Sequence, residues 1–154
     1  MGTSLKKGDK APPFSSTDQN GNEISPDKYR GKKIILYFYP KDNTPGCTKE
    51  ACSLRDGYDE LLAAGFVVVG VSPDSEKSHR NFSKKYDLPF HLIADPEKEL
   101  LKKYGAWGEK KMYGKTTEGV LRTTFIISED GIIEHVIPKV DTKNHAEQIM
   151  ALYN

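Results

Sequence analysis

Residues 33–47, KIILYFYPKDNTPGC, decide the fold of this chain. Their first seven positions, Lys33 to Tyr39, are rich in β-branched and aromatic side chains, which is typical of a central strand covered on both faces. Pro40 ends this strand, and a short turn leads into Cys47, where a helical pattern begins. Open α/β folds place their ligands where a strand leads into a helix, so this junction is a candidate site of chemistry.

The segments that follow the junction predict a βαβ unit. Apolar side chains recur at helical spacing from Cys47 to Gly65, which predicts one amphipathic helix of about four to five turns capped by that glycine. Residues 66–72, FVVVGVS, predict a second buried strand, parallel to the first and joined to it by a right-handed crossover. The next segment, Ser75 to Tyr86, predicts another helix.

The remaining segments complete an α/β layout. Asn20-Gly21 is a turn signal and predicts a small N-terminal hairpin. The later patterns predict, in order, a strand at 91–94, a helix at 97–104, a polar surface loop at 107–119, strands at 123–127 and 132–137, and a helix at 144–153 capped by Asn144. This order predicts a thioredoxin-like fold in one domain, 1–154, with a central mixed β-sheet flanked by helices and an N-terminal β-hairpin extension.

Composition excludes several classes of partner. The 154 residues carry 23 basic and 22 acidic side chains, and a formal charge of +1 provides no field that attracts nucleic acid or anionic lipid. No apolar run reaches the length of a bilayer crossing, and residues 1–7 lack the apolar stretch of a secretory signal. We therefore expect a cytoplasmic protein with no nucleic-acid or membrane partner. Two cysteines in such a chain leave inert, metal-binding and redox roles open.

Cys47 lies where the helix is expected to begin. The first turn of a helix presents unpaired backbone N–H groups and the positive end of the dipole, and both favour a thiolate over a thiol. The hydroxyl of Thr44, three residues earlier, can donate a hydrogen bond to the sulfur or to a peroxide oxygen beside it. The alternative is that Cys47 is a small, inert core residue, although a core cysteine needs no tight turn before it.

Cys52 follows five residues later on the same predicted helix. In an intact helix the two Cα atoms would lie about 8 to 9 Å apart, beyond the roughly 7 Å that a disulfide can bridge. Either Cys52 is an unrelated surface cysteine, or the first turns of the helix unwind when the pair oxidises. Thr48 and Ser53 are poor helix formers, so the sequence permits this unwinding.

The cysteine spacing is C-x₄-C, which differs from the C-x-x-C of disulfide reductases. A zinc site is also disfavoured, since two sulfurs do not fill a tetrahedral site and the four histidines show no paired spacing; they are His79, His91, His135 and His145. We therefore expect no metal and no cofactor, and we expect the histidines to be surface or core residues.

Arg122 stands immediately before the apolar run 123–127. It could be an exposed charge on an edge strand, which is usual for arginine. If the fold instead brought its guanidinium to Cys47, it would stabilise the thiolate and the charge that develops on a peroxide during attack.

These residues match a known signature. Pro40, Thr44 and Cys47 fit P-x-x-x-T-x-x-C, which resembles the active-site signature of the peroxiredoxins, and the C-x₄-C spacing resembles the bacterioferritin comigratory protein or peroxiredoxin Q group. Further similarities are 105–110, Gly114-Lys115, Arg122 and Asp130-Gly131, and together they span the chain from Gly8 to the last helix.

The resemblance implies a thioredoxin-like thiol peroxidase. Cys47 would be oxidised to sulfenic acid by hydrogen peroxide or an organic hydroperoxide, and Cys52 would resolve it as a disulfide. Thr44 and Arg122 would bind the peroxide oxygens and activate the thiolate, while Pro40 shields the pocket. Thioredoxin or a glutaredoxin-like dithiol would reduce the disulfide, and the protein would be a monomer, with a weak homodimer as the alternative.

Two other functions fit the residues less well. The fold would allow a disulfide reductase or isomerase that acts on proteins, since fold alone does not fix function. A non-enzymatic holdase or binding module would carry the two cysteines as inert groups.

Overall fold

The computed structural model describes residues 3–29 and 31–153; Met1 and Gly2, part of the stretch expected to lack a secretory signal, lie outside the described residues. The strands are β1 Ser16–Thr17, β2 Glu23–Ile24, β3 Lys33–Phe38, β4 Phe66–Ser72, β5 His91–Ala94, β6 Trp107–Met112, β7 Lys115–Val120, β8 Thr123–Ile127 and β9 Ile133–Ile137. The helices are α1 Pro45–Asp56, α2 Tyr58–Ala63, α3 Glu76–Tyr86, α4 Glu99–Lys103 and α5 His145–Ala151, with a 3₁₀ turn at Pro26–Tyr29.

Five strands form the central sheet in the order β5-β4-β3-β8-β9. β3 and β4 are parallel, as are β4 and β5, while β8 is antiparallel to both β3 and β9. The predicted mixed sheet of a thioredoxin-like fold is therefore confirmed. The N-terminal hairpin is also present, since β1 pairs with β2 through Ser16 opposite Ile24 and Thr17 opposite Glu23.

β3 lies at the centre of the sheet because both of its faces are apolar. Its odd-numbered side chains, such as Tyr37, pack in a cluster with residues of α1, α2, α3 and α5. Its even-numbered side chains, such as Leu36, pack on the other face with residues of α4. Ile34 to Phe38 are all at most 2% exposed, so the strand is covered on both faces as the sequence predicts.

The single helix predicted from Cys47 to Gly65 is wrong, because the structure has two helices that meet at Gly57. A Cβ atom at Gly57 would lie 2.7 Å from the Cβ of Ala146, so α5 packs against this junction more closely than a side chain would allow. Helical spacing continues through the junction, which is why the sequence pattern does not reveal the break. The first helix also begins two residues before Cys47, with Pro45 in its first turn.

The surface loop predicted at 107–119 is also wrong, because β6 and β7 form an antiparallel hairpin there. Tyr113 and Gly114 connect the strands with φ angles of 53° and 77°, the two positive values that a type I′ turn needs. Most described side chains of this hairpin face solvent, so neither strand shows the apolar alternation that marks a half-buried strand.

Two helix boundaries differ from the prediction. α4 begins at Glu99 rather than Glu97, because the N–H of Lys98 donates to the carbonyl of Asp95 in a turn and Lys98 has a left-handed φ of 61°. α5 follows Asn144 as predicted but ends at Ala151 rather than Tyr153, and the Asn144 side chain makes no capping hydrogen bond. In residues 3–29 and 31–153, no helix has both the length and the apolar character needed to cross a bilayer.

The contact at Gly57 predicts a steric cost for any larger side chain. We expect Gly57→Ala to lower the free energy of unfolding by about 1 to 3 kcal/mol, because the added methyl overlaps Ala146 while the φ of −96° is open to alanine. Urea denaturation measures the change. The double variant Gly57→Ala/Ala146→Gly should recover part of the loss, and strictly additive costs in the two single variants would contradict this explanation.

Candidate active site

Cys47 lies in the first turn of α1, directly after the turn that follows β3. α1 begins at Pro45, and the backbone carbonyl of Thr44 accepts the hydrogen bond from the N–H of Thr48. The Cys47 side chain is only 1% exposed and packs in the core cluster on the α1 side of the sheet. The predicted position at a helix start is thus observed, and the helix N-terminus stabilises negative charge on the sulfur.

Arg122 lies beside that sulfur. Its Nη2 donates a hydrogen bond to Cys47 Sγ over 3.3 Å, and its Nη1 donates to Glu50 Oε1 over 2.6 Å. The residue directly precedes β8, which pairs with β3 inside the sheet, so Arg122 is not an exposed charge on an edge strand. The antiparallel pairing brings it to Cys47 although 75 positions separate the two in sequence. The guanidinium is placed to stabilise a thiolate.

Glu50 is a further member of the site that the sequence reasoning missed. It lies three residues after Cys47 on α1 and has no exposed surface. Its Oε1 accepts the Arg122 hydrogen bond, while its Oε2 makes no hydrogen bond with the described residues. Burial raises the pKa of Glu50 to about 7, and Arg122 opposes that rise only in part. The spacing of three residues, which places two helical side chains on one face, is the signal that could have identified it.

His145, at the start of α5, lies next to Glu50. Its Nε2 is 3.6 Å from Glu50 Oε2 and 2.9 Å from the hydroxyl of Thr124. Its Nδ1 is 2.9 Å from the side-chain oxygen of Gln148. Burial lowers the pKa of His145 to about 4, so the ring is neutral near pH 7 and its Nε2 accepts from Thr124. No spacing in the sequence indicates this contact, because only the packing of α5 against α1 creates it.

Thr44 and Pro40 flank the turn before α1. The Thr44 hydroxyl donates to the carbonyl of Lys41 over 2.8 Å, so in this structure its proton is directed at the turn and not at the sulfur. Pro40 is partly buried and follows the last residues of β3. Arg122 also lies against the first turn of α1, since a Cβ at Gly46 would lie 3.3 Å from its Nη2.

Cys52 lies on α1 five residues after Cys47 and is partly buried. Both cysteines are free thiols, and the same continuous helix contains them. A bond between them therefore requires α1 to open, because an intact helix holds residues at this spacing too far apart.

The buried carboxyl of Glu50 predicts a pH-dependent stability. The pKa of Glu50 in the folded state lies above the ordinary value of 4.5. Its contribution to the free energy of unfolding is therefore fully present below about pH 4.5 and is lost as the pH rises through about 7. Glu50→Gln keeps an oxygen for Arg122 but cannot ionise. From pH 4.5 to pH 8, the unfolding free energy of the wild type should fall by about 3 kcal/mol relative to this variant.

Urea denaturation of both proteins across this pH range measures that difference. Folded wild-type His145 has a pKa of about 4, below this range, and the titration of His145 in the unfolded state is the same in both proteins, so it cancels when they are compared. A difference that stays constant with pH would show that Glu50 does not bind a proton more strongly in the folded state.

The sequence matches known proteins over nearly its whole length. The AhpC/TSA family matches residues 7–136. A putative peroxiredoxin bcp of Coxiella burnetii is 47% identical over 147 residues, which cover 96% of this chain and 97% of that relative. Peroxiredoxin Bcp of Escherichia coli K12 is 43% identical over 146 residues, covering 95% and 94%.

Solved structures of similar proteins indicate the same family as these sequence relatives. The bacterioferritin comigratory protein of Xanthomonas campestris, described for its alkyl peroxide reduction activity, superposes with a TM-score of 0.84 at 35% identity, covering 90% of this chain and 88% of that one. PrxQ of Xylella fastidiosa superposes with a TM-score of 0.91 at 29% identity, covering 99% and 97%. The chain therefore belongs to the peroxiredoxin family, in the bacterioferritin comigratory protein or peroxiredoxin Q group, and is a thiol peroxidase.

Proposed function

We propose that Cys47 is the peroxidatic cysteine and Cys52 the resolving cysteine of this peroxidase. The observation that carries the proposal is the 3.3 Å contact between Arg122 Nη2 and Cys47 Sγ at the N-terminus of α1. A guanidinium and a helix N-terminus on one sulfur are two independent sources of positive potential, and a thiolate is the form of cysteine that attacks peroxides.

The first step is attack of the Cys47 thiolate on one oxygen of a hydroperoxide. The S–O bond forms as the O–O bond breaks, the sulfur becomes a sulfenic acid, and the alkoxide or hydroxide takes a proton and leaves as alcohol or water. Arg122 stabilises the negative charge that develops on the oxygens. Thr44 binds the peroxide by turning its hydroxyl from Lys41 to the peroxide oxygen, and Pro40 shields the pocket from water.

The second step joins the two cysteines. The first turns of α1 unwind, the Cys52 thiol attacks the sulfenic sulfur, and a disulfide and one water form. Thr48 and Ser53 lie within the segment that opens, and both are poor helix formers. The opening must precede a second encounter of Cys47 with peroxide, which would otherwise convert the sulfenic acid to sulfinic acid.

Reduction of the disulfide completes the cycle. A dithiol such as thioredoxin or a glutaredoxin-like protein gives two electrons and two protons, restores both thiols and is itself oxidised to a disulfide.

Hydrogen peroxide and organic hydroperoxides are both substrates under this proposal. The alkyl peroxide reduction activity described for the Xanthomonas campestris relative supports the organic substrates.

We infer that the protein acts as a single-domain cytoplasmic monomer, with a weak homodimer as the alternative. Both core clusters pack on one central sheet, which supports one domain. Few large apolar side chains are exposed in the described part of the chain, which supports a monomer; they are Leu62, Tyr113 and Leu152.

Replacing each cysteine tests the two roles. Without a reductant, the wild type should consume one equivalent of hydrogen peroxide and lose both thiols to a Cys47–Cys52 disulfide, which mass spectrometry identifies. Cys47→Ser should consume none. Cys52→Ser should still react at Cys47, accumulate sulfenic and then sulfinic acid, and form no intramolecular bond. Peroxide consumption by Cys47→Ser, or insulin reduction by a wild type that leaves peroxide untouched, would refute the assignment and favour a disulfide reductase.

A stiffer α1 should increase overoxidation. Thr48→Ala raises helix propensity by about 0.5 to 0.7 kcal/mol, which disfavours unwinding about two- to threefold. The sulfinic acid fraction at Cys47, measured by mass spectrometry at high peroxide with a dithiol present, should rise by a similar factor. Asn81→Ala, a comparable change at an exposed position of α3, is the matched control and should not alter this fraction. An unchanged fraction in Thr48→Ala would show that helix opening does not limit resolution.

A further inference from the structure

Asp42, in the turn between β3 and α1, holds a buried network of hydrogen bonds that the peroxidase mechanism does not use. Its side chain is almost fully buried. Oδ1 accepts from the Tyr39 hydroxyl over 2.5 Å, and Oδ2 accepts from the Ser78 hydroxyl over 2.7 Å. Oδ2 also lies 2.6 Å from Nδ1 of His79. Three side chains therefore converge on one carboxyl group, and two of them come from α3.

His79 has no exposed surface and bonds through both ring nitrogens. Its Nε2 lies 3.0 Å from the carbonyl oxygen of Ile93 in β5, and because a carbonyl oxygen can only accept, Nε2 carries a proton. A proton also lies between Nδ1 and Oδ2 of Asp42, whichever of the two atoms holds it. The ring is thus fixed between β5 and the turn, in a single orientation.

Two further contacts hold the same turn. The backbone N–H of Asp42 donates to Oδ2 of Asp74 over 2.6 Å. Asn43 has a φ of 60°, a conformation that costs energy for a residue other than glycine, and its side-chain oxygen accepts from Lys85 and Tyr86 over 3.2 Å each. α3 and the segment before it therefore hold both central residues of the turn.

The position of this network relates it to the reaction. Pro40 and Thr44 are the first and last residues of the turn, and Cys47 lies three residues beyond Thr44. A buried network of polar and ionisable groups is a weak source of stability, because desolvation consumes much of what its hydrogen bonds contribute. The network does fix the geometry of the turn. That matters because a peroxide must meet the sulfur within a few tenths of an ångström of the productive alignment.

We propose that Asp42 and His79 are positioning residues for the hydroperoxide: they fix the turn 40–44 so that Thr44 meets the peroxide beside Cys47. This inference rests on the roles proposed above for Cys47 and Thr44. Neither positioning residue touches the substrate; His79 acts on Asp42, and Asp42 acts on the backbone of the turn.

Two substitutions of His79 separate its two hydrogen bonds. The side-chain amide of asparagine reaches about as far as Nδ1, so His79→Asn keeps a donor for Asp42. The longer glutamine places its amide near Nε2, so His79→Gln keeps the bond to Ile93 and loses the bond to Asp42. The second-order rate constant of reduced protein with hydrogen peroxide should stay within about threefold of the wild type in His79→Asn and fall about 10- to 100-fold in His79→Gln.

A second readout distinguishes positioning from general damage. The rate at which iodoacetamide alkylates Cys47, followed by peptide mass spectrometry, needs the thiolate but no oriented peroxide, and it should not fall in His79→Gln. The matched control is His91→Gln, which removes a second His–Asp contact, 2.8 Å between His91 Nδ1 and Asp18 Oδ2, at the start of β5. This control should react with peroxide at the wild-type rate.

Equal peroxide rates in folded His79→Gln and wild type would overturn the inference. So would equal losses in the two His79 variants, or a parallel fall of the alkylation and peroxide rates. If circular dichroism shows that neither variant folds, Ser78→Ala tests the inference, because it removes one partly exposed donor to Asp42. A peroxide reaction two- to fivefold slower than that of the wild type supports the inference, and an unchanged rate refutes it. A wild type inert to peroxide would instead refute the proposed function.

Discussion

The site depends on the hydrogen bonds that the guanidinium of Arg122 donates to Cys47 and Glu50. One nitrogen of the guanidinium reaches the sulfur of Cys47 and another reaches the carboxyl group of Glu50, so a single cation contacts two groups that can each carry a negative charge. Both partners are buried, and charge is stabilised there only by what the protein supplies. The three side chains hold each other in one arrangement, with the sulfur at the start of a helix and the carboxylate one turn further along.

The sheet makes this arrangement possible. The turn at the carboxyl end of β3 leads to Cys47. β8 is antiparallel to β3 and begins at the same end of the sheet, with Arg122 just before it. The two sides of the site therefore lie in segments that adjoin the neighbouring central strands β3 and β8. On the other side of α1, α5 closes the site with His145, and its first residues pack tightly against Gly57.

Sequence reasoning succeeded where burial is strong. β3, β4 and β8 are continuous apolar runs, and a Pro-Gly turn before a cysteine marks a helix start, so the sheet and the position of Cys47 could be predicted. It failed where tertiary contacts decide the outcome. Most described side chains of the β6–β7 hairpin face solvent, and only the close approach of α5 explains the break at Gly57. The contacts of His145 with Glu50 and of His79 with Asp42 join residues far apart in sequence, and no spacing indicates them.

The buried carboxyl of Glu50 has a consequence for the energetics of the redox cycle. While α1 is closed, burial raises the pKa of Glu50 to about 7, but an opened helix would expose the group to water, where its ordinary value is 4.5. Between these two values the disulfide form of the protein would hold fewer protons at Glu50 than the dithiol form. The midpoint potential of the cysteine pair would then vary with acidity more steeply than two thiols alone require, and reduction would draw a proton back into the interior.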